Sequence, residues 1–448
     1  MRSAKHQKLL WFMMGLGMQL QIVASLSFAE LFCFTATPFL FFRELPYIRR
    51  NGVDTFLYLS FAVVGGCIIS LIANHSGGMF VLRGMAVTTL LPCVIVVSHW
   101  LLRRYANGFK WMFIGNAISG IICTFWFQKS VEVAELAGGE GGSGAVTAIM
   151  NGPIFWITRL YPVAMAIPQG WYLKCPLIIS MLAPVAMAFI ALFTTISGRS
   201  ASLSALASAA IVYIGGKKRL RIKRNICDRF WLLLIVAIAG IFVVKGAYSF
   251  SAEHGFLGED AKKKYELQTK GDKSLKALLM GGRMESFCGL IACVDKPIIG
   301  FGPWARDENG YVEEFLSKYA NMEDYVGYLR TMEYYAQHGI QPERLIPCHA
   351  YITEFWLWYG IFGLIFWLYV IFVLLRYLRQ DCWAVPQWYM WLAASIPGYC
   401  WGIFFSPWSS RVSGVLFVVA CLMVRAVRKG SFLLPEEMII EMSKAERS

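Results

Sequence analysis

Residues 281–304 read GGRMESFCGLIACVDKPIIGFGPW. They sit inside a long polar interruption, residues 250–348, of an otherwise apolar chain. The interruption closes on Leu345-Ile346-Pro347-Cys348-His349, where the next apolar run begins. The reading of this stretch decides the fold. With membrane helices on both sides, it is a polar domain held at one membrane face, and it is the working part of the molecule.

The flanks support that reading. The chain is 57% hydrophobic and 16% charged, against about 25% charged in ordinary globular domains. Apolar runs of about 18 to 25 residues recur, each long enough to cross a bilayer as a helix. The first, near residues 9–23, follows basic residues and lacks a small-residue cleavage site, so it reads as a retained helix rather than a signal peptide. A net charge of +14 fits basic loops on the cytoplasmic side of a membrane better than a nucleic-acid partner. The 12 cysteines are scattered and show no zinc-type spacing. Cys288, Cys293 and Cys348 share the interruption, which leaves one disulfide or three free thiols open.

Candidate helices run over 9–24, 28–42, 55–73, 81–102, 109–127, 153–171, 175–195, 201–214, 230–247, 350–375, 388–405 and 412–427. The expected fold is therefore all-α and polytopic, with about 12 transmembrane helices and one large external helical loop. Loop charges test the count. Even connections carry Arg43, Arg49 and Arg50, then Arg103, Arg104 and Lys110, then Lys174, then the run from Lys217 to Arg224, then Arg376 and Arg379. Odd connections are mostly short and nearly uncharged, such as Asn74-His75-Ser76-Gly77-Gly78. Positive charge stays on the cytoplasmic side, so both termini fall there and the interruption falls outside. The resulting layout is helices 1–9 in residues 1–249, an external loop domain in 250–349, helices 10–12 in 350–428 and a cytoplasmic tail in 429–448.

Other stretches fill in the plan. The connection 128–152 holds Gly138-Gly139-Glu140-Gly141-Gly142-Ser143-Gly144, a mobile flap or an inert linker. Ala201, Ala205 and Ala209 let the eighth helix pack closely. Within the interruption, residues 283–294 have helical periodicity and suit the membrane surface. Gly300, Gly302 and Pro303 force a turn. Residues 311–338 read as one or two helices, and Gln341-Pro342 and Ile346-Pro347 break helix before the chain re-enters the membrane.

Three arginines stand where the positive-inside bias would not put them: Arg199 in a tight external turn, Arg283 at the head of the amphipathic stretch, and Arg411 at the end of another external turn. Arginine offers a planar, permanently charged fork that suits phosphate oxygens. Converging, these three make a pyrophosphate clamp; taken singly, each also fits headgroup snorkelling. His349, at the mouth of the tenth helix, is placed to act as a base near neutral pH or to sit as an interface residue. Tyr351 and Glu354 follow at i+2 and i+5. Arg159, about two turns into its helix, needs a partner or a wet cavity. There is no phosphate-binding glycine loop, no H-E-x-x-H and no D-x-D, so no metal or other cofactor is expected. Glu30 is the one carboxylate of the first external turn.

The order Ser-Gly-Arg-Ser in a helix hairpin, an arginine-headed loop helix, Pro-Ile-Ile-Gly-Phe-Gly-Pro-Trp, then a loop-closing His349 with Glu354, Gly360 and Gly363 behind it resembles the O-antigen ligase and polymerase superfamily of bacterial envelopes. The likeness is strongest over residues 193–375. It implies a GT-C-like multi-pass fold in the bacterial inner membrane, with the site facing the periplasm. It implies a glycan donor on undecaprenyl diphosphate and a lipid A–core or glycan acceptor. Transfer would be metal-independent and inverting. By the resemblance Arg199, Arg283 and His349 are catalytic, and Arg411, Arg159, Tyr351 and Glu354 are expected to bind substrate. Two positions depart from the family pattern: Ala350 stands where Asn often follows the histidine, and Ser286-Phe287 where Trp often follows the loop arginine.

Overall fold

The computed structural model describes residues 2–18, 20–23, 26–75, 79–105, 108–126, 284–319, 345–348, 350–378, 386–405 and 411–428, with isolated positions between 246 and 266. This part is 84% helical. The first helix, α1 (Arg2–Gly17), leads through a two-stranded hairpin, β1 (Gln21–Val23) and β2 (Leu26–Ser27), into α2 (Phe28–Arg50), α3 (Asp54–Ala73), α4 (Met79–Tyr105) and α5 (Phe109–Trp126). The later part of the chain supplies α6 (Met284–Asp295), α7 (Tyr311–Tyr319), α8 (Tyr351–Tyr359), α9 (Ile361–Arg376), α10 (Pro386–Phe405) and α11 (Arg411–Arg428). The helices expected over 153–171, 175–195 and 201–214, and the connection 128–152, lie outside the described residues, as does 230–247 save Gly246.

The first helix lies earlier than its expected bounds, and the second starts at Phe28 as expected but runs longer. A capping box starts α2: the Ser27 hydroxyl accepts from the Glu30 N–H at 3.2 Å, and the Ser27 N–H donates to Glu30 Oε2 at 2.8 Å. The helix then runs past the expected end at Phe42, because Glu44, on the buried face of its next turn, is satisfied. Buried Glu44 accepts a bidentate pair from Arg103, 2.6 and 3.0 Å, and a bond from His99 Nδ1 at 3.2 Å. Asn51 Nδ2 donates to His99 Nε2 at 2.9 Å, which leaves the His99 proton on Nδ1 for Glu44. The Arg103 guanidinium lies 3.8 Å from the centre of the Tyr47 ring. This clamp fixes α2 beside α4 with the two chains parallel, as the Thr37 bond to the Cys93 carbonyl also requires.

Residue pairs give the other directions. Trp11 meets Gly108 and Gly15 meets the Met112 backbone, so α1 and α5 are parallel. Phe56 stacks on Phe366 and Tyr369 while Gly66 meets Phe362, so α3 and α9 are antiparallel. Arg411 pairs with Glu30 at the heads of α11 and α2. These pairs set α2, α4 and α11 with their heads at one end and α9 opposed to α3, the relative directions that the charge pattern gives for those helices. Arg49, Arg50, Arg103, Arg104, Arg376 and Arg425 collect toward one end, and residues 296–304 pack at the other. Among the described residues, two helical stretches are long and apolar enough to cross a membrane, α3 and Val81–Arg104 within α4. Tyr58, Phe61, Ile68, Ile69 and Ile72 of α3, and Ile365, Leu368, Phe372 and Leu375 of α9, form exposed apolar stripes suited to lipid.

The tenth expected helix, 350–375, is corrected by the structure. It is two helices folded against each other. The chain turns at Gly360, and α8 doubles back along α9: Tyr351 lies against Trp367, and Phe355 stacks on Phe366. Gly360 has φ 61°, a conformation that disfavours side chains, and a Cβ there would run into the Ile298 carbonyl. Gly363 likewise admits the Phe355 carbonyl.

Candidate functional site

The polar stretch is built onto that fold. The backbone groups released at the Gly360 turn are taken up by residues 298–302. Phe301 N–H donates to the Leu357 carbonyl at 2.7 Å, Gly302 N–H to Trp358 at 3.1 Å, and Ile361 N–H to the Ile298 carbonyl at 3.1 Å. Within a membrane protein an unwound backbone persists only where protein or water satisfies it. Gly300, at φ 76°, faces Gly360 so closely that neither has room for a side chain. The Asn74 side chain donates to the Gly300 carbonyl at 3.0 Å and accepts from Lys296 Nζ at 2.7 Å. The glycine-rich turn is thereby seated on the α3–α4 connection and on the α8–α9 hairpin together.

A small second core holds the rest of the described loop. The expected helix over 283–294 is present as α6, and it packs on α8 with Cys288, Ala292 and Cys293 buried. Gly289 touches Cys348, and Cys293 Sγ lies 3.7 Å from the Thr353 carbonyl. The two helices therefore run parallel, with their first residues at the same end. Cys288, Cys293 and Cys348 are all free thiols. Burial pushes the Cys288 thiol up to about 12, helped by the Asp307 carboxylate. Asp307 caps α7 by accepting from the Tyr311 and Val312 N–H groups at 2.7 and 2.9 Å. Burial raises the Tyr311 phenol; its hydroxyl donates to Asp295 at 2.7 Å and ties the end of α6 to the start of α7.

No protein-family model, curated protein or solved structure matches this chain.

Of the residues singled out in the sequence, Arg199, Arg283, Arg159 and His349 lie outside the described residues. The other three are described, Tyr351 and Glu354 on α8 and Arg411 on α11. Tyr351 and Glu354 are both buried on α8, at 6% and 8% exposure. Tyr351 packs on Gly402 and Tyr399 of α10. Arg411, at the head of α11, is half-buried and 3.5 Å from Glu30 Oε1. That separation makes a loose ion pair rather than a strong hydrogen bond, and Glu30 is already held by its cap. Tyr359 is fully buried and within electrostatic reach of both the Glu354 carboxylate and the Arg411 guanidinium. Carboxylate, phenol and guanidinium at the head of a helix bundle can handle hydroxyls and anions.

Sequence reasoning missed Arg83. It sits in the second turn of α4, exposed, with its guanidinium 4.5 Å from the centre of the Trp304 ring. The signal was there to read, since an arginine beside the short uncharged connection after α3 breaks the charge alternation as Arg199 and Arg411 do.

Proposed function

We propose that this chain is a membrane glycosyltransferase of the O-antigen ligase and polymerase type. It moves a glycan from undecaprenyl diphosphate to the lipid A–core oligosaccharide at the periplasmic face of a bacterial inner membrane. The single observation that carries this reading is the seating of the Pro-Ile-Ile-Gly-Phe-Gly turn on the broken α8–α9 segment. It joins two sequence features of the resemblance into one unit, next to the helix heads that bear Arg411 and Glu30. A second support is that α2, α4 and α11 share a direction and α9 opposes α3, with arginines gathered at the end opposite the loop.

In this mechanism Arg199, Arg283 and Arg411 neutralise the diphosphate as the sugar C1–O bond breaks, a preorganised electrostatic role. His349 takes the proton of the attacking acceptor hydroxyl, or orients it. The acceptor oxygen forms its bond to C1 opposite the leaving diphosphate, so the anomeric centre inverts. Arg159, Tyr351 and Glu354 line the substrate path. The lipid diphosphate is already activated, so no nucleotide or metal is required. The alternative products are a longer lipid-linked glycan, made by a polymerase, or none, for a transporter of lipid-linked glycan.

Deletion of the gene tests the reading. Ligase activity predicts surface glycan lost from lipid A–core while full-length glycan accumulates on the lipid carrier. Accumulation of single repeats instead identifies a polymerase. Carrier-linked glycan trapped on the cytoplasmic side identifies a transporter.

A further inference from the structure

Arg83 is not an ordinary interface arginine on a mobile stem. Its guanidinium lies over the Trp304 ring at 4.5 Å, and Trp304 is itself held from several sides. It also lies against the Trp358 ring, with centroids 4.9 Å apart. Its backbone is in the left-handed region at φ 54°, uncommon for a residue with a bulky side chain. Such strain persists where the surroundings impose it, and it collects at functional sites. The surroundings here are specific. Gly84, next to Arg83, leaves no space between α4 and Pro303: a Cβ would overlap the Pro303 ring. The close approach of Pro303 sets Trp304 over Arg83.

Stacking covers one face of the guanidinium and leaves its N–H edge open. Arg83 is exposed, and among the described residues no carboxylate pairs with it. It shares its end of the bundle with the heads of α2 and α11, which run parallel to α4. Three helix N-termini directed to one end add positive potential there.

We propose that Arg83, laid flat on Trp304, is a phosphate-binding residue of the transferase site, and that its ligand is the diphosphate of the membrane-anchored polyprenyl donor. This rests on the transferase reading and adds a residue to it. The pre-set guanidinium offers two parallel donors to phosphate oxygens, and its orientation is fixed before the lipid arrives. A phospholipid headgroup offers related chemistry from the same membrane surface, so the test separates the two.

The test uses the full chain in nanodiscs, with undecaprenyl diphosphate and phosphatidylglycerol titrated separately. Arg83→Gln is expected to weaken diphosphate binding about tenfold or more, the loss of at least one charge-assisted hydrogen bond. Arg83→Lys should fall between, keeping charge without the fork. Trp304→Leu, which leaves the arginine in place but removes its support, should weaken binding about two- to fivefold. Phosphatidylglycerol binding should change little in all three. Unchanged diphosphate affinity in Arg83→Gln, or loss confined to phosphatidylglycerol, overturns the assignment while leaving the transferase reading standing. A wild type that binds no polyprenyl diphosphate overturns both.

Discussion

At the scale of single residues, the most constrained polar group in the described bundle is Glu44. It is fully buried, and Arg103 and His99 satisfy its two oxygens. Removing one partner of such a pair strands a buried charge. Arg103→Ala is therefore expected to destabilise the protein by about 3 kcal/mol, read as a fall in melting temperature in detergent. Arg49→Ala, on an exposed side chain at the same end of the bundle, should change it little. A second residue prediction concerns Cys288. With its thiol pushed to about 12 by burial, almost none is thiolate at pH 8, and the thiolate is the reactive form. Cys288 should resist maleimide in the folded protein at pH 8 and react fully after denaturation, as peptide mass spectrometry can follow. The sequence pointed to Arg411, Tyr351 and Glu354 by type and place. It did not reveal that Glu354 is buried, because a doubled-back helix has the same composition as a straight one.

At the scale of elements, the α8–α9 hairpin is the unit on which the site depends. The apolar run over 350–375 reads as one spanning helix because both arms are apolar; periodicity alone cannot tell a hairpin from a rod. Gly360 and Gly363 were visible in it, yet glycine in a membrane helix is common enough to carry no direction. The turn at Gly300, Gly302 and Pro303 and the helix over 283–294 were legible, since Gly and Pro act locally. Gly360→Ala is predicted to unseat the loop. The side chain disfavours φ 61° and collides with the Ile298 carbonyl. Positive φ alone costs about 1–2 kcal/mol, and the lost packing adds to it. Faster hydrogen exchange at Phe301 and Gly302, whose N–H groups bond to the α8 carbonyls, is the expected readout. Unchanged protection there would mean that the loop is held without the hairpin turn.

At the scale of the whole molecule, the charge alternation and the helix directions describe one bundle with an arginine-rich end and a loop end. In the proposed orientation the loop end is outside. A cysteine placed at exposed Glu308 should react with an impermeant maleimide in intact spheroplasts, and one at exposed Arg50 only after lysis. The reverse pattern would invert the topology and remove the periplasmic site. The bundle was legible in the sequence because hydropathy and loop charge are summed over many residues. The meeting of residues 298–302 with α8 was not, since it is made by backbone groups that every residue carries. The proposed reaction is glycosyl transfer without a metal. Its most direct test is turnover by the purified wild-type chain in nanodiscs, with undecaprenyl-diphosphate-linked glycan and lipid A–core supplied in excess EDTA. Glycan is expected on lipid A–core at a rate unchanged by EDTA, and about 100- to 10,000-fold slower for His349→Ala. No transfer by the wild type, or transfer that EDTA stops and Mg²⁺ or Mn²⁺ restores, would contradict it.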